Sequence, residues 1–519
     1  MANRLPVPLL FDLCACAHTS TGSGAATSTE IEIGATWPVS TPEAQGIDSA
    51  KLAAMVEEIS EREGRAENAI HDFVVIRHGV LVAEGYVHPQ TPEMLQSQAS
   101  ITKAVESALV GVAIRERWIP SVDAPLSTLL PGFADLWEDQ AKARITLAQA
   151  LSMTAGFDWD DDRDLGPMLS SADPVRYHLS RPLAHPPGST FVYDTGICQP
   201  IARILEERSG QDLESLAVKY LLEPLGIREH YWLHLPGVGA VGGFGLYLAP
   251  RDAARIGYLY LHQGRWNGRE LLPADWVRAS LTPRIPCWDH QMGFYWRVSA
   301  DGRYFFAHGH GGQFILLRPD GDLVVIINAH DYGQAQALLD KHIFPALAPG
   351  PLPANADGVT RLLAALDRIA QPKPVPQPLP PLAARISGTT WALTRSADAQ
   401  GKAIPSPFRW SRFTFESPQQ ALFEYEQDAS PPTPAGVYRF LVGLDGVART
   451  TPNFFADTVP IVARGRWIDD ATFAFENRLL GQTQEYRLRL HFSGDRATAE
   501  VETLPEHTRV LLDLERRAP

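Results

Sequence analysis

At 519 residues the chain is too long for one ordinary domain, and its 45% hydrophobic and 20% charged content suits a large core under a solvated surface. A formal net charge of −14 disfavours nucleic acids and anionic membranes as partners. Four cysteines, Cys14, Cys16, Cys198 and Cys287, make no disulfide framework, and no apolar run approaches the roughly 18 residues of a membrane span.

Residues 1–39 read as a flexible N-terminal segment that serves as an export signal or tether. Leu13-Cys14-Ala15-Cys16 is similar to a bacterial lipoprotein cleavage box, which would place a lipid anchor at Cys16. The apolar stretch before it is short, contains Asp12, and has only Arg4 as a basic start. Export to the cell envelope is slightly favoured over a cytoplasmic location.

Asp48 to Glu63 has the periodicity of an amphipathic helix. Asp72–Arg77 and Val80–Ala83 read as a hairpin turning at His78-Gly79. Ser100-Ile101-Thr102-Lys103 then opens a buried helix and places a hydroxyl and an amine on one face, one turn apart. Serine is a weak nucleophile until a neighbouring base takes its proton, and a desolvated lysine can be that base. The apolar surroundings predict a neutral Lys103.

A mainly helical middle runs to about residue 285. Within it Tyr193-Asp194-Thr195-Gly196 lies on a loop announced by Pro186-Pro187-Gly188, ahead of a helix over 199–208. A tyrosine there can hydrogen-bond a serine or lysine and pass on a proton, or it can be a half-buried core residue with a satisfied hydroxyl. Gly237 to Gly242 fits G-x-G-x-x-G but lacks the strand-then-helix context of a dinucleotide site, and no G-x-S-x-G elbow is present.

Strands return at Tyr304–Ala307, Phe314–Arg318 and Leu323–Ile327, with a closing helix over Ala335–Leu347. The first and second of these flank Ala307-His308-Gly309-His310-Gly311-Gly312-Gln313, whose glycines allow close approach of a backbone to a ligand. His308 and His310 share a strand face, but no further ligand stands at metal-site spacing, so no metal and no cofactor is expected. Residues 351–382 read as a helix and a stiff Pro-rich linker. Residues 383–519 then show short alternating runs with turn residues between them, the pattern of an antiparallel barrel.

These three motifs, in this order, resemble the serine β-lactamase and penicillin-binding-protein-like hydrolases, in the branch of esterases, D-amino-acid peptidases and 6-aminohexanoate-dimer hydrolases. Met153–Asp160, Leu222–Ile227 and Gly243–Asp252 carry the same resemblance. It implies an α/β (α+β) fold over residues 40–350, an antiparallel sheet with an inserted helical lobe. The C-terminal region resembles the lipocalin-like barrels appended to some of these hydrolases.

The resemblance implies Ser100 as acylated nucleophile, Lys103 as base and Tyr193 as proton relay, with the backbone N–H groups of Ser100 and His310 forming the oxyanion hole. His308, Gly309 and Thr195 complete the expected binding set. Two departures stand out: Thr195 where Asn or Ser is usual, and Ala307 where β-lactamases carry a carboxylate-binding lysine. The expected function is cleavage of a small-molecule ester, amide or peptide through an acyl-serine. A β-lactamase or DD-peptidase is the alternative, and a non-catalytic sensor or binding protein the reading from another class.

Overall fold

The computed structural model describes residues 32–517 apart from 64–68, 236, 431–433 and 456–458. Cys14 and Cys16, and with them the lipid-anchor reading, lie outside the described residues.

An early antiparallel hairpin and a late run of six antiparallel strands, distant in sequence, build one eight-stranded sheet. Its order is Ile285–Cys287, His290–Met292, Arg297–Val298, Phe305–Gly309, Gln313–Arg318, Leu323–Ala329, Ile70–Arg77 and Val80–Tyr86. The join between the early and late parts pairs Val74 with Ile326 and Val75 with Val325. The tight turn of the first hairpin is made by His78 and Gly79, both at positive φ (52° and 74°), as a two-residue turn of this hand requires.

Helices cover both faces, so Ile70–Arg77 is buried along its whole length rather than on alternate residues. One face packs Phe73, Val75, Phe314 and Val325 under the helices Ser49–Glu63 and Ala356–Ala370. The other packs Val74, Ile315 and Val324 against Pro250–Leu261 and the helical lobe. The lobe is threaded by Thr102–Arg115, twelve of whose residues are buried.

The C-terminal strands, from Thr390–Asp398 to Thr508–Arg516, form one antiparallel sheet that closes through a parallel contact where Gly443 meets Arg464. Aromatic side chains fill the interior: Phe413 lies 4.5 Å from Phe423, 5.2 Å from Phe473 and 5.4 Å from Phe475, ring centre to ring centre.

Three features depart from the sequence expectations. The alternating runs read from sequence between 408 and 514 number eight, and the barrel has two further strands, Thr390–Asp398 and Arg449–Phe455; the second contains Pro452, which argues locally against a strand. The sheet gains three strands of two or three residues between 285 and 298, too short to show a period. The stretch 33–37, assigned by sequence to the flexible segment, packs instead. Ile33 exchanges two hydrogen bonds with the Asn267 side chain, and Trp37 stands edge-on to Tyr258 and Trp266.

Candidate active site

Ala99, just ahead of the serine, holds a left-handed backbone (φ 43°), an uncommon conformation for a residue with a Cβ and a local strain of order 1 kcal/mol or more. It opens the 3-10 turn Ala99–Ile101, which carries Ser100 and leads directly into the helix of Lys103. Lys103 Nζ lies 3.0 Å from Ser100 Oγ and 2.8 Å from the Gly243 carbonyl oxygen. The Tyr193 hydroxyl donates to the same Oγ at 2.8 Å. Two donors from segments distant in sequence, Lys103 and Tyr193, therefore converge on one hydroxyl oxygen.

The Tyr193 loop is clamped by carboxylates. Asp161 accepts from the Thr195 backbone N–H (3.0 Å), the Thr195 hydroxyl (2.6 Å) and the Trp159 indole (2.6 Å). Asp194 accepts from His178 (2.8 Å) and from the Ile197 N–H (2.9 Å) at the start of the helix Cys198–Ser209. Thr195 is thus occupied within the fold, where sequence had placed it among the binding residues.

The strand Phe305–Gly309 passes so close to the Ser100 segment that a Cβ on Gly309 would sit 2.5 Å from the Gln98 carbonyl oxygen. That contact sets His310 beside the serine segment. His308 is a correction. Side chains alternate along a strand, so it faces away from Gly309, against Phe314 and Tyr332, with its Nδ1 3.1 Å from Arg297. Burial, then Arg297, His310 and His290, push its pKa well below the usual histidine value, so it offers a substrate no charge.

Lys103 differs from expectation as well. Burial opposes its charge, but Tyr193, Cys198 and Asp161 together outweigh that, and its pKa lies above the ordinary lysine value. Behind it, one helical turn on, Glu106 is fully buried beside Cys198. Burial drives the Glu106 carboxyl well above its usual range despite the nearby Lys103, so it is held protonated. A Cβ on Gly242 would come within 2.4 Å of Glu106 Oε1, so only glycine fits there.

Sequence reasoning missed Asp161, Glu106 and the Gly243 carbonyl. Glu106 alone left a local signal, an acid inside an apolar helix. No cluster of residues suited to a metal occurs among the described residues, and none of their helices is long and apolar enough to cross a membrane.

A model of the Beta-lactamase family matches residues 52–348, more than half of the chain. The chain belongs to the Beta-lactamase family. Within this family it is similar to the esterase EstB of Burkholderia gladioli, at 26% identity over 214 residues, 36% of this chain and 53% of EstB. The match thus spans about half the length of that curated relative. Among solved structures, an octameric penicillin-binding protein homologue from Pyrococcus abyssi matches over 90% of this chain and 100% of its own, at 14% identity and a TM-score of 0.48. A D-stereospecific amidohydrolase from Streptomyces sp. matches over 56% of this chain and 98% of its own, at 16% identity and a TM-score of 0.46.

Proposed function

We propose that this Beta-lactamase family member is a serine hydrolase that cleaves small esters or amides through an acyl-Ser100 intermediate. The observation that carries the reading is the convergence of Lys103 Nζ and the Tyr193 hydroxyl on Ser100 Oγ. Attack by Oγ on the substrate carbonyl requires loss of the serine proton to the Lys103–Tyr193 pair, which must first have released one of its own. The backbone N–H groups of Ser100 and His310 bind the developing oxyanion; the close packing of Gly309 against Gln98 supports this pairing. The tetrahedral intermediate collapses as the pair returns the proton to the leaving oxygen or nitrogen. Water then repeats the sequence on the acyl-enzyme and frees the acid.

Esters and unstrained amides suit the site better than β-lactams. Ala307 is buried and uncharged, and His308 is held neutral on the far face, so neither binds a carboxylate. The EstB relative is named an esterase, in agreement with this preference.

The test is covalent labelling by a fluorophosphonate probe with mass spectrometry of the adduct. The label is expected on Ser100, and Ser100→Ala should abolish labelling and turnover, a loss of several orders of magnitude, while the protein stays folded. An adduct on any other residue would overturn the assignment.

A further inference from the structure

The barrel touches both segments that carry the proposed oxyanion donors. Its turn between the strands Thr472–Leu479 and Glu485–Ser493 lies against the chain leading into Ser100. There the Ser97 N–H donates to the Gly481 carbonyl at 2.7 Å, and a Cβ on Gly481 would sit 2.4 Å from the Leu95 carbonyl oxygen. On the same turn, Gln482 Oε1 accepts from the Tyr247 hydroxyl at 2.9 Å. Tyr247 is the register partner of Ser97. Thr483 Cβ stands 3.2 Å from where a Cβ on Gly311 would be.

The neighbouring turn, between Arg496–Leu504 and Thr508–Arg516, brings Glu506 to 2.9 Å from His310 Nε2. The two turns are adjacent because Glu485 pairs with Leu504 across the barrel strands. Barrel residues thus meet the nucleophile segment on one side and the oxyanion segment on the other. The Glu506–His310 pair is partly open to solvent, with side chains 32% and 54% exposed.

From this geometry we infer that Gln482, Thr483 and Glu506 form an outer wall of the substrate cleft and restrict the acyl-enzyme site to compact substrates. The inference rests on the serine-hydrolase reading. A group extending outward past His310 meets the Glu506 carboxylate, and one extending past Ser97 meets Gln482 and Thr483. Both turns are short; Gln482 and Thr483 are half-buried and Glu506 is exposed, so the wall trims substrates by bulk and leaves the chemistry at Ser100 to the hydrolase domain.

The experiment compares two fluorophosphonates on the full-length chain, one with small alkyl groups and one carrying a bulky rhodamine tag. The second-order labelling rate of Ser100 is measured for each, in the unaltered protein and in Glu506→Ala and Gln482→Ala. The variants lie on separate turns, so a fold defect in one leaves the other to decide, and melting temperatures identify such a defect. The bulky-to-small rate ratio is expected to rise by about fivefold or more, within the range a steric contact contributes to discrimination. A ratio unchanged in a folded variant, or equal changes with both probes, would overturn the wall. Failure of both probes to label the unaltered protein would instead overturn the serine-hydrolase reading, and the wall with it.

Discussion

A lysine 3.0 Å from a serine hydroxyl can donate to it or take its proton, and the surrounding charges decide which. Around Lys103 burial favours the neutral amine, but Tyr193, Cys198 and Asp161 favour the ammonium and prevail. The reactive form has lost a proton, and with the pKa raised its fraction at neutral pH is smaller than for a free lysine. For an activated ester, kcat/KM should therefore keep climbing from about pH 7 to about pH 9, and a flat profile there would contradict this protonation state. Glu106 gives a second test at this scale. Its folded pKa lies above the unfolded value of about 4.3, so above that pH the folded state keeps a proton the unfolded chain has released. Stability contributed by this group falls as pH rises between those two values. Glu106→Gln, which cannot ionise, should gain melting temperature relative to the unaltered protein, and the gain should widen from about pH 5 to about pH 8. A pH-independent difference would show that Glu106 is not held protonated.

At the scale of elements, the strand Phe305–Gly309 sorts its side chains by alternation. Gly309 faces the Gln98–Ser100 segment, Ala307 the lobe-side core and His308 the opposite face. A charge-assisted hydrogen bond to a carboxylate is worth about 1.5–3 kcal/mol, or about one to two decades in specificity, and Ala307 forgoes it. On one preparation, kcat/KM for nitrocefin should therefore fall below that for p-nitrophenyl acetate. A nitrocefin value at or above the ester value would restore the β-lactamase alternative. The helical turn bearing Ser100 and Lys103 was legible because i and i+3 share a helical face whatever surrounds it. His308 was misread because the same period-two rule that suggested a shared face with His310 says nothing about which face meets the substrate.

In the whole molecule, the two cores of the hydrolase domain share one sheet, whereas the barrel has its own core around Phe413. Phe413→Ala removes about 3–5 kcal/mol of packing from that core. Calorimetry should show a barrel transition moved to lower temperature while the hydrolase transition moves little. One undivided transition, shifted as a whole, would mean that the two units unfold together.

The sequence alone determined what depends on near neighbours: the serine–lysine spacing, the Tyr193 loop with its Pro and Gly approach, the hairpin at His78-Gly79 and most of the barrel strands. Helical and strand periods are local properties, and side-chain type shows them directly. Only the tertiary structure decided what depends on distant approach. It brought Asp161 to Thr195 and the Gly243 carbonyl to Lys103. It also carried Glu506 across 196 positions to His310. The protonation of Lys103 belongs with these, because it depends on Asp161 and on the Tyr193–Cys198 segment, two separate stretches of chain that only folding places around one amine.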